Sequence, residues 1–264
     1  MTKWFISILV SSVLLIVFLG KVSSQEEPSS KTNRVIKTVV IDAGHGGKDP
    51  GAISKSGVYE KDINLPISLK LKDLLEKEYD DIEIVMTRSD DRFIELHDRG
   101  RIANANGGNL FISIHSNSKK LDDYEHKTGF EIYLLDLVRK DKATEITQNE
   151  NMFIQKNDSM SAPDFFAGAL MESANLKIAH RFANILKTEM SKGTEMMNRG
   201  VKQDAFVVLY GASMPAILVE CGFLTNEDDV KYLTSEKGQN DIAVAIYKAV
   251  RLFKFDYDYE NSRY

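Results

Sequence analysis

The sequence has very little cysteine: Cys221 is the only one among 264 residues. An internal disulfide is therefore excluded, and the fold must be held together by its core even if the protein is exported. The same shortage argues against a lipid-anchored form, because no cysteine follows the apolar run near the amino terminus. Cys221 follows Glu220 in an apolar strand, so its side chain should point to the opposite face as an inert buried thiol.

The chain also lacks an excess of basic residues and any internal repeat. It has 34 lysines and arginines against 39 aspartates and glutamates, which gives a net charge of -5 at pH 7. Binding to nucleic acid calls for a clustered basic surface, so no nucleic-acid partner is predicted. The length is sufficient for one substantial domain.

The amino-terminal segment has the layout of a secretory signal peptide over residues 1–24. A lysine at position 3 precedes an apolar run, and small residues follow that run before Gln25. The alternative is an uncleaved anchor, the only membrane contact that the sequence suggests. Both interpretations place the remainder outside the cytoplasm, in the periplasm or cell-envelope space. Residues 25–35 are interpreted as a polar linker, and residues 256–264 as a polar tail.

Between these ends, strand and helix patterns alternate. Runs typical of buried strands cover 35–42, 82–87, 110–115, 130–135 and 216–220. Apolar residues recur at helical spacing over 63–75, 178–186 and 242–253. We therefore predict an α/β fold over 36–255: a single three-layer domain with a mostly parallel twisted sheet of about six strands and helices on both faces.

Four polar residues fall where such a sheet binds ligands, beyond the carboxyl ends of its strands. His45 follows the first predicted strand, His115 ends the third, and Glu220 ends the last. Glu60 lies in the loop or first turn that leads into the first helix. All four residues can therefore reach one rim of the sheet.

Two histidines and one carboxylate suit zinc, and three protein ligands leave a fourth position for water or substrate. His45, Glu60 and His115 are the predicted ligands of one Zn²⁺ per chain. Hydrolysis also needs a group that moves protons, and Glu220 is the candidate general base and then general acid. Gly222 is expected to let substrate approach the backbone beside it.

Each of these residues also has a simpler interpretation. His45 could support its glycine turn, His115 could bond to backbone, and Glu60 could stabilise a helix start through the dipole. Glu220 could be a paired carboxylate at the end of a strand. The turn GHGGKDPG could in principle cradle phosphate, but it matches neither the Walker pattern nor the dinucleotide fingerprint. The favoured interpretation is that its glycines let the backbone approach a metal site closely.

Several motifs together resemble the zinc-dependent N-acetylmuramoyl-L-alanine amidases, the bacterial cell-wall amidases used in cell division and daughter-cell separation. In chain order they are VVIDAGHGGKDPGA, the helix entry at Glu60, TRSDDRFIELHDRGRIAN, FISIHSN, VKQDAFVVL and MPAILVECGFLTN. The resemblance implies cleavage of the amide between N-acetylmuramic acid and L-alanine in peptidoglycan. It also implies that His45, Glu60 and His115 bind zinc and that Glu220 is catalytic. Arg88 and Arg99 match recurring positions, for which structural anchoring is the favoured role.

The segment 136–172 is longer than a usual connection and is interpreted as an insertion, a regulatory segment by resemblance. Amidases of cell division carry a similar insertion whose glutamate fills the open coordination position until an activator protein displaces it. Glu150 is the closest match here, and the alternative is a solvated glutamate in a surface loop. Two other functions stay open from the sequence: a zinc peptidase or amidase acting on another envelope amide, and a non-catalytic wall-binding scaffold.

Overall fold

The computed structural model describes residues 35–118, 127–136, 150 and 162–263, and for residues 162–173 it describes only the backbone. The predicted signal peptide and nearly all of the predicted linker lie outside the described residues. The same holds for most of the predicted insertion, of which Asp136, Glu150 and the backbone from Ala162 onward are described.

Six strands and six helices make up the described part of the chain. The strands are β1 (Thr38–Ala43), β2 (Glu83–Met86), β3 (Leu110–Asn117), β4 (Phe130–Leu135), β5 (Asn198–Asp204) and β6 (Ala216–Phe223). The helices are α1 (Glu60–Glu78), α2 (Leu96–Ala105), α3 (Ala162–Gly193), α4 (Val207–Tyr210), α5 (Glu227–Thr234) and α6 (Glu236–Ser262).

All six strands form one sheet in the order β2-β1-β3-β6-β4-β5. Neighbouring strands are parallel except β4 and β6, which are antiparallel. Parallel neighbours need crossover connections, and here helices supply most of them. The prediction of a mostly parallel six-stranded sheet in an α/β domain is confirmed.

The two faces of the sheet carry separate apolar cores because side chains alternate along each strand. Val39 and Ile41 of β1 face the larger core, which α1, α3 and α6 cover. Val40, between them, faces a smaller core together with α2 and α4. Cys221 is fully buried in the larger core, as expected, while Glu220 belongs to the opposite face.

Three parts of the chain differ from the predictions. β5 was not predicted, because its sequence NRGVKQD has no apolar run. The last eleven residues of the predicted insertion already belong to α3, which begins at Ala162. The predicted polar tail is helical as far as Ser262, because α6 continues through it. There Asp258 Oδ1 accepts a hydrogen bond from Ile36 N at 2.8 Å.

The carboxyl ends of β1 and β3 and the amino-terminal end of α1 meet at one rim of the sheet. Gly44 N, just after β1, donates to Ile114 O at 3.0 Å, and Ser116 N in β3 donates to Glu60 Oε1 at the start of α1. None of the helices in the described residues is both long and apolar enough to cross a bilayer.

Candidate active site

The turn after β1 places His45 in an uncommon backbone conformation. Its φ is 59°, in the left-handed region that favours glycine, and it is the only residue other than glycine with a positive φ among those described. Such conformations persist where the surroundings impose them, and they cluster at functional sites. The turn is closed by backbone hydrogen bonds between Gly46 and Asp49 at 2.9 and 3.1 Å.

Two buried arginines hold this turn by hydrogen bonds to its backbone carbonyl oxygens. Arg88 donates to the carbonyl oxygens of Ala43 and Gly44 at 2.8 and 2.7 Å. Arg99 donates to His45 O at 3.0 Å and pairs with the Asp42 carboxylate at 2.8 Å. Both side chains are 1–2% exposed, so their role is to fix the turn, as the sequence suggested.

Glu60 is the first residue of α1, and its carboxylate is fixed at both oxygens. Oε1 accepts hydrogen bonds from Ser116 N and Asn64 Nδ2, each at 3.0 Å. Oε2 accepts from Ala52 N, also at 3.0 Å. Glu60 can therefore stabilise the start of α1 and contribute its carboxylate to the candidate site at the same time.

The two histidines and Glu60 converge with a fourth side chain, that of Glu150. His45 Nε2 lies 3.0 Å from Glu60 Oε2 and 3.0 Å from Glu150 Oε2. His115 Nδ1 lies 3.0 Å from Glu60 Oε1 and 2.9 Å from Glu150 Oε2. One ligand atom from each of the four residues lies within 4.8 Å of the others.

The donor atoms fit a metal ion better than they fit one another. His45 Nε2 and Glu150 Oε2 are buried and have no hydrogen-bond partner of acceptable geometry among the described residues, although they lie 3.0 Å apart. Buried polar atoms are normally paired, because an unpaired one costs about 1–3 kcal/mol. Imidazole nitrogens and carboxylate oxygens that aim at a common point are the donor set of a metal site.

The charges of the cluster support the same interpretation. Burial acts to lower the pKa of His115, but Glu150 and Glu60 outweigh it and raise the pKa to about 10. The pKa of His45 is likewise raised well above its usual value, against the effect of burial. For Glu60, burial is again outweighed, and the two histidines hold its pKa well below the usual range. The buried carboxylates of Glu60 and Glu150 thus favour positive charge beside them, and a divalent cation would supply it.

Glu220 stands beside this cluster. It is fully buried, and its position in β6 is paired in register with His115 of β3. Both of its carboxylate oxygens lack a hydrogen-bond partner among the described residues. Burial, reinforced by the negative charge of Glu150, raises the pKa of Glu220 well above the ordinary glutamate value. A buried, unpaired carboxyl group beside a candidate metal site has the properties of a general acid or base.

The glycines of the first turn make room for the cluster, as expected. A Cβ on Gly44 would lie 2.4 Å from the His115 ring, and one on Gly51 would lie 2.6 Å from Glu60 Oε2. Gly222 is different, and the expectation that it opens a path for substrate is wrong. A Cβ there would meet Met196 Cε at 2.5 Å, so Gly222 allows close packing of the core instead.

Sequence reasoning missed Asp49. Its Oδ2 lies 2.8 Å from His45 Nδ1, which leaves His45 Nε2 facing the cluster. Carboxylates in this position fix the ring and the tautomer of a metal-binding histidine. The available indication was the spacing of four residues between the histidine and the aspartate within one glycine-rich turn.

Comparison with known proteins identifies the family to which the chain belongs. Residues 39–251 match the model of the family described as N-acetylmuramoyl-L-alanine amidase. The uncharacterized protein YqiI of Bacillus subtilis (strain 168) is 34% identical over 214 residues, which cover 81% of this chain and 83% of YqiI. The catalytic domain of CwlV, N-acetylmuramoyl-L-alanine amidase from Bacillus (Paenibacillus) polymyxa var. colistinus, aligns with a TM-score of 0.63 and 31% identity, covering 82% of this chain and 97% of CwlV.

A further solved structure, the CwlD amidase from Clostridioides difficile in complex with the GerS lipoprotein, aligns with a TM-score of 0.61 and 29% identity. The alignment covers 82% of this chain and 98% of CwlD. The family match spans most of the chain, and the two structural alignments include nearly the whole length of each solved relative. The protein is therefore an enzyme that belongs to the N-acetylmuramoyl-L-alanine amidase family of bacterial cell-wall hydrolases.

Proposed function

We propose that the protein hydrolyses the amide between N-acetylmuramic acid and L-alanine in peptidoglycan by using one zinc ion held by His45, Glu60 and His115. The observation that carries the proposal is the convergence of these three donors, buried and supplied by three different elements of the fold. Two imidazoles with one carboxylate form an open zinc site, which is the arrangement that catalytic zinc requires. When bound, the ion would polarise the amide carbonyl and lower the pKa of a water molecule.

Glu220 supplies the proton transfer in this proposal. Its unpaired oxygens can take a proton from the attacking water, and its raised pKa, caused by burial and the charge of Glu150, favours holding that proton until it is passed on. It then delivers the proton to the nitrogen of the departing alanine, so that one carboxyl group acts first as base and then as acid. Asp49 and the arginine-held turn keep His45 in place during both steps.

The experiment that tests the proposal is digestion of purified peptidoglycan by the zinc-loaded protein, followed by mass spectrometry of the products. We expect stem peptides that begin with a free alanine amine and glycan strands without peptide. Products cut at another amide would show instead a zinc hydrolase of different specificity. No products from either the wild type or its Glu150→Ala variant, in which the proposed inhibition is removed, would support a non-catalytic scaffold.

Variants separate the role of Glu220 from that of the ligands. We expect Glu220→Gln to abolish turnover and to keep its zinc, because Glu220 is not among the converging donors. We expect His45→Ala to lose zinc by elemental analysis. Near-normal activity in Glu220→Gln, or full zinc content in His45→Ala, would contradict the assignment of that residue.

The position of Glu150 supports a resting state that is self-inhibited. Its carboxylate lies at the point where the three proposed ligands converge, and its side chain is only 9% exposed. As a fourth ligand it would compete with water and substrate for zinc. Displacing it calls for a partner, and the structure of the related CwlD with the lipoprotein GerS supports a protein activator.

Export and a role in wall remodelling or cell separation complete the proposal. The substrate lies outside the cytoplasm, and the first 24 residues have the composition of a signal peptide. A hydrolase that meets its own wall is a hazard to the cell, which gives the proposed inhibition by Glu150 a physiological reason. Detection of the mature protein in the envelope fraction, with its amino terminus sequenced, tests this part and distinguishes cleavage from anchoring.

A further inference from the structure

A second polar cluster lies on the same face of the sheet as Glu220, centred on Glu131 of β4. In register, His115 of β3 faces Glu220 of β6, and Glu220 faces Glu131. Glu131 Oε1 contacts Arg199 Nε at 2.8 Å and Lys202 Nζ at 2.5 Å, both from the edge strand β5. This Glu131 cluster therefore continues the row of catalytic side chains across the sheet.

The cluster has more positive charge than its single carboxylate needs. Glu131 is fully buried, whereas the side chains of Arg199 and Lys202 are 24% and 37% exposed. Glu131 Oε2 has its own partners, the hydroxyl of Tyr133 at 2.6 Å and Asn117 Nδ2 at 3.1 Å. Neither cation forms a hydrogen bond with Glu220, whose oxygens both lack partners among the described residues.

Asn117 adds an observation that points to a ligand. Its Nδ2 donates to Glu131, but its Oδ1 is buried without a partner in the part of the chain that the structure describes. A buried acceptor left unpaired costs free energy unless something donates to it. A backbone N–H of a bound peptide would satisfy this oxygen, while a carboxylate of the same peptide would satisfy the two cations.

The spacing suits a peptide that runs from the site of cleavage. Neighbouring strands lie roughly 4.8 Å apart. β4 is next to β6, which carries Glu220, and is therefore about 10 Å from β3. In peptidoglycan the second stem residue is a glutamate linked through its side chain, and its α-carboxylate lies two residues, roughly 7 Å, from the cleaved amide. Glu131, which Arg199 and Lys202 contact at 2.8 and 2.5 Å, is paired with Glu220 on the neighbouring strand, where directly opposed residues lie about 5 Å apart.

We propose that Arg199 and Lys202, held in place by Glu131, bind the free α-carboxylate of the second stem-peptide residue, with Asn117 accepting a backbone N–H of the same peptide. The site selects walls in which this carboxylate is free over walls in which it is amidated. The inference rests on the proposed function, because it assumes that the stem peptide leaves the cluster of His45, Glu60 and His115 along this row.

The test compares two peptidoglycans polymerised in vitro from precursors that differ only in the second stem residue, D-isoglutamate or D-isoglutamine. The full-length zinc-loaded enzyme is assayed on both, and the readout is the ratio of the two kcat/KM values. We expect a preference of about tenfold for the free acid, equivalent to ~1.4 kcal/mol. We expect Lys202→Met to bring the ratio close to one and Lys202→Arg to restore it.

A merely structural role of Lys202 would lower activity on both substrates equally, and this outcome would overturn the inference. Lys231→Met, at a lysine whose side chain is 76% exposed on α5, is the matched control and should keep the wild-type ratio. If Lys202→Met fails to fold, Arg199→Gln makes the same comparison. Equal cleavage of both substrates by the wild type refutes the carboxylate subsite alone. No cleavage of either substrate, by the wild type or by its Glu150→Ala variant, refutes the proposed function as well.

Discussion

Asp49 Oδ2 lies 2.8 Å from His45 Nδ1, and the same carboxylate accepts a hydrogen bond from Gly51 N at 3.0 Å through its other oxygen. One side chain thus orients the imidazole and also ties down the turn that carries it. Burial acts to raise the pKa of Asp49, but the His45 ring outweighs it and lowers the pKa below the usual value. Asp49 is therefore ionised at neutral pH and directs the His45 Nδ1 proton toward itself, which leaves Nε2 as a donor for a metal.

Replacing Asp49 should weaken metal binding without removing a ligand. We expect Asp49→Ala to reduce zinc affinity by about 10–100-fold, the usual effect of losing an oriented carboxylate behind a metal-binding histidine. Competition with a zinc chelator measures the change. Asp228→Ala, at a 92% exposed carboxylate, is the control and should bind zinc as the wild type does. An unchanged affinity in Asp49→Ala would mean that the pair has no role at the metal.

Gly51 and Gly57 form a natural comparison, because both have a positive φ, 64° and 83°. A Cβ on Gly51 would meet Glu60 Oε2 and the His45 ring at 2.6 Å, whereas one on Gly57 would meet nothing within 4 Å. We expect Gly51→Ala to lose most of its zinc and its activity. Gly57→Ala should show only the modest destabilisation of backbone strain, about 1 kcal/mol, and keep its zinc. Equal zinc content in the two variants would contradict the crowding argument.

Removing the Glu150 carboxylate should activate the enzyme if it occupies the fourth coordination position. We expect Glu150→Ala to raise the basal rate on purified peptidoglycan by about fivefold or more, within the usual range of coupling between inhibitory and active states. Its zinc content should stay at one per chain, since three ligands remain. Glu227→Ala, at an exposed glutamate, is the control. A basal rate equal to that of the wild type would refute the inhibitory role.

Stability should depend on pH through the buried pair of Asp42 and Arg99. Burial acts to raise the pKa of Asp42, but Arg99 together with the hydrogen bonds from Ser113 and Thr87 outweighs it and lowers the pKa from 3.8. A carboxylate with a lowered folded-state pKa stabilises the fold fully above its unfolded pKa, about pH 4, and this stabilisation is lost as the pH falls through the folded-state value. Chemical denaturation of the metal-free protein at several pH values follows the loss.

Removing this carboxylate should abolish that part of the pH dependence. We expect Asp42→Asn to lower the free energy of unfolding by about 3–5 kcal/mol at pH 7, because Arg99 would be left buried and uncompensated. The loss of stability below pH 4 should be correspondingly smaller than in the wild type. Asp90→Asn, which breaks an exposed pair with Arg92, should change stability little. A wild-type slope in Asp42→Asn would assign the acid sensitivity to other groups.

Most of the fold could be predicted from the sequence because its central strands are buried on both faces. β1, β3 and β6 are rich in apolar residues and carry polar residues toward their carboxyl ends, so their positions and the shared rim could be inferred together. β5 could not, because a strand at the edge of the sheet needs no apolar run, and β5 is mostly polar. The helical continuation of α6 was missed because the residues from Phe255 onward are mainly polar and aromatic.

The candidate site divides in the same way. His45, Glu60, His115 and Glu220 could be selected because each lies toward the carboxyl end of a strand, just after one, or at the start of a helix. The partners that orient them depend on contacts across the fold. Glu131 is such a case, since it meets Arg199 only because β5 lies next to β4 in the sheet. No local pattern in β4 indicates a carboxylate with partners on three strands.

The last turns of α6 have a practical consequence for how this domain is handled. Asp258 Oδ1 accepts from Ile36 N, and Lys254 Nζ donates to Ile36 O at 2.9 Å and pairs with Asp258 at 2.7 Å. The predicted polar tail begins at residue 256 and could be taken for dispensable. Ending the chain at residue 255 would remove Asp258, which anchors the segment that leads into β1. Since β1 carries His45 to the rim, we expect a shortened protein to have a less rigid candidate metal site, although the missing residues lie at the other end of β1.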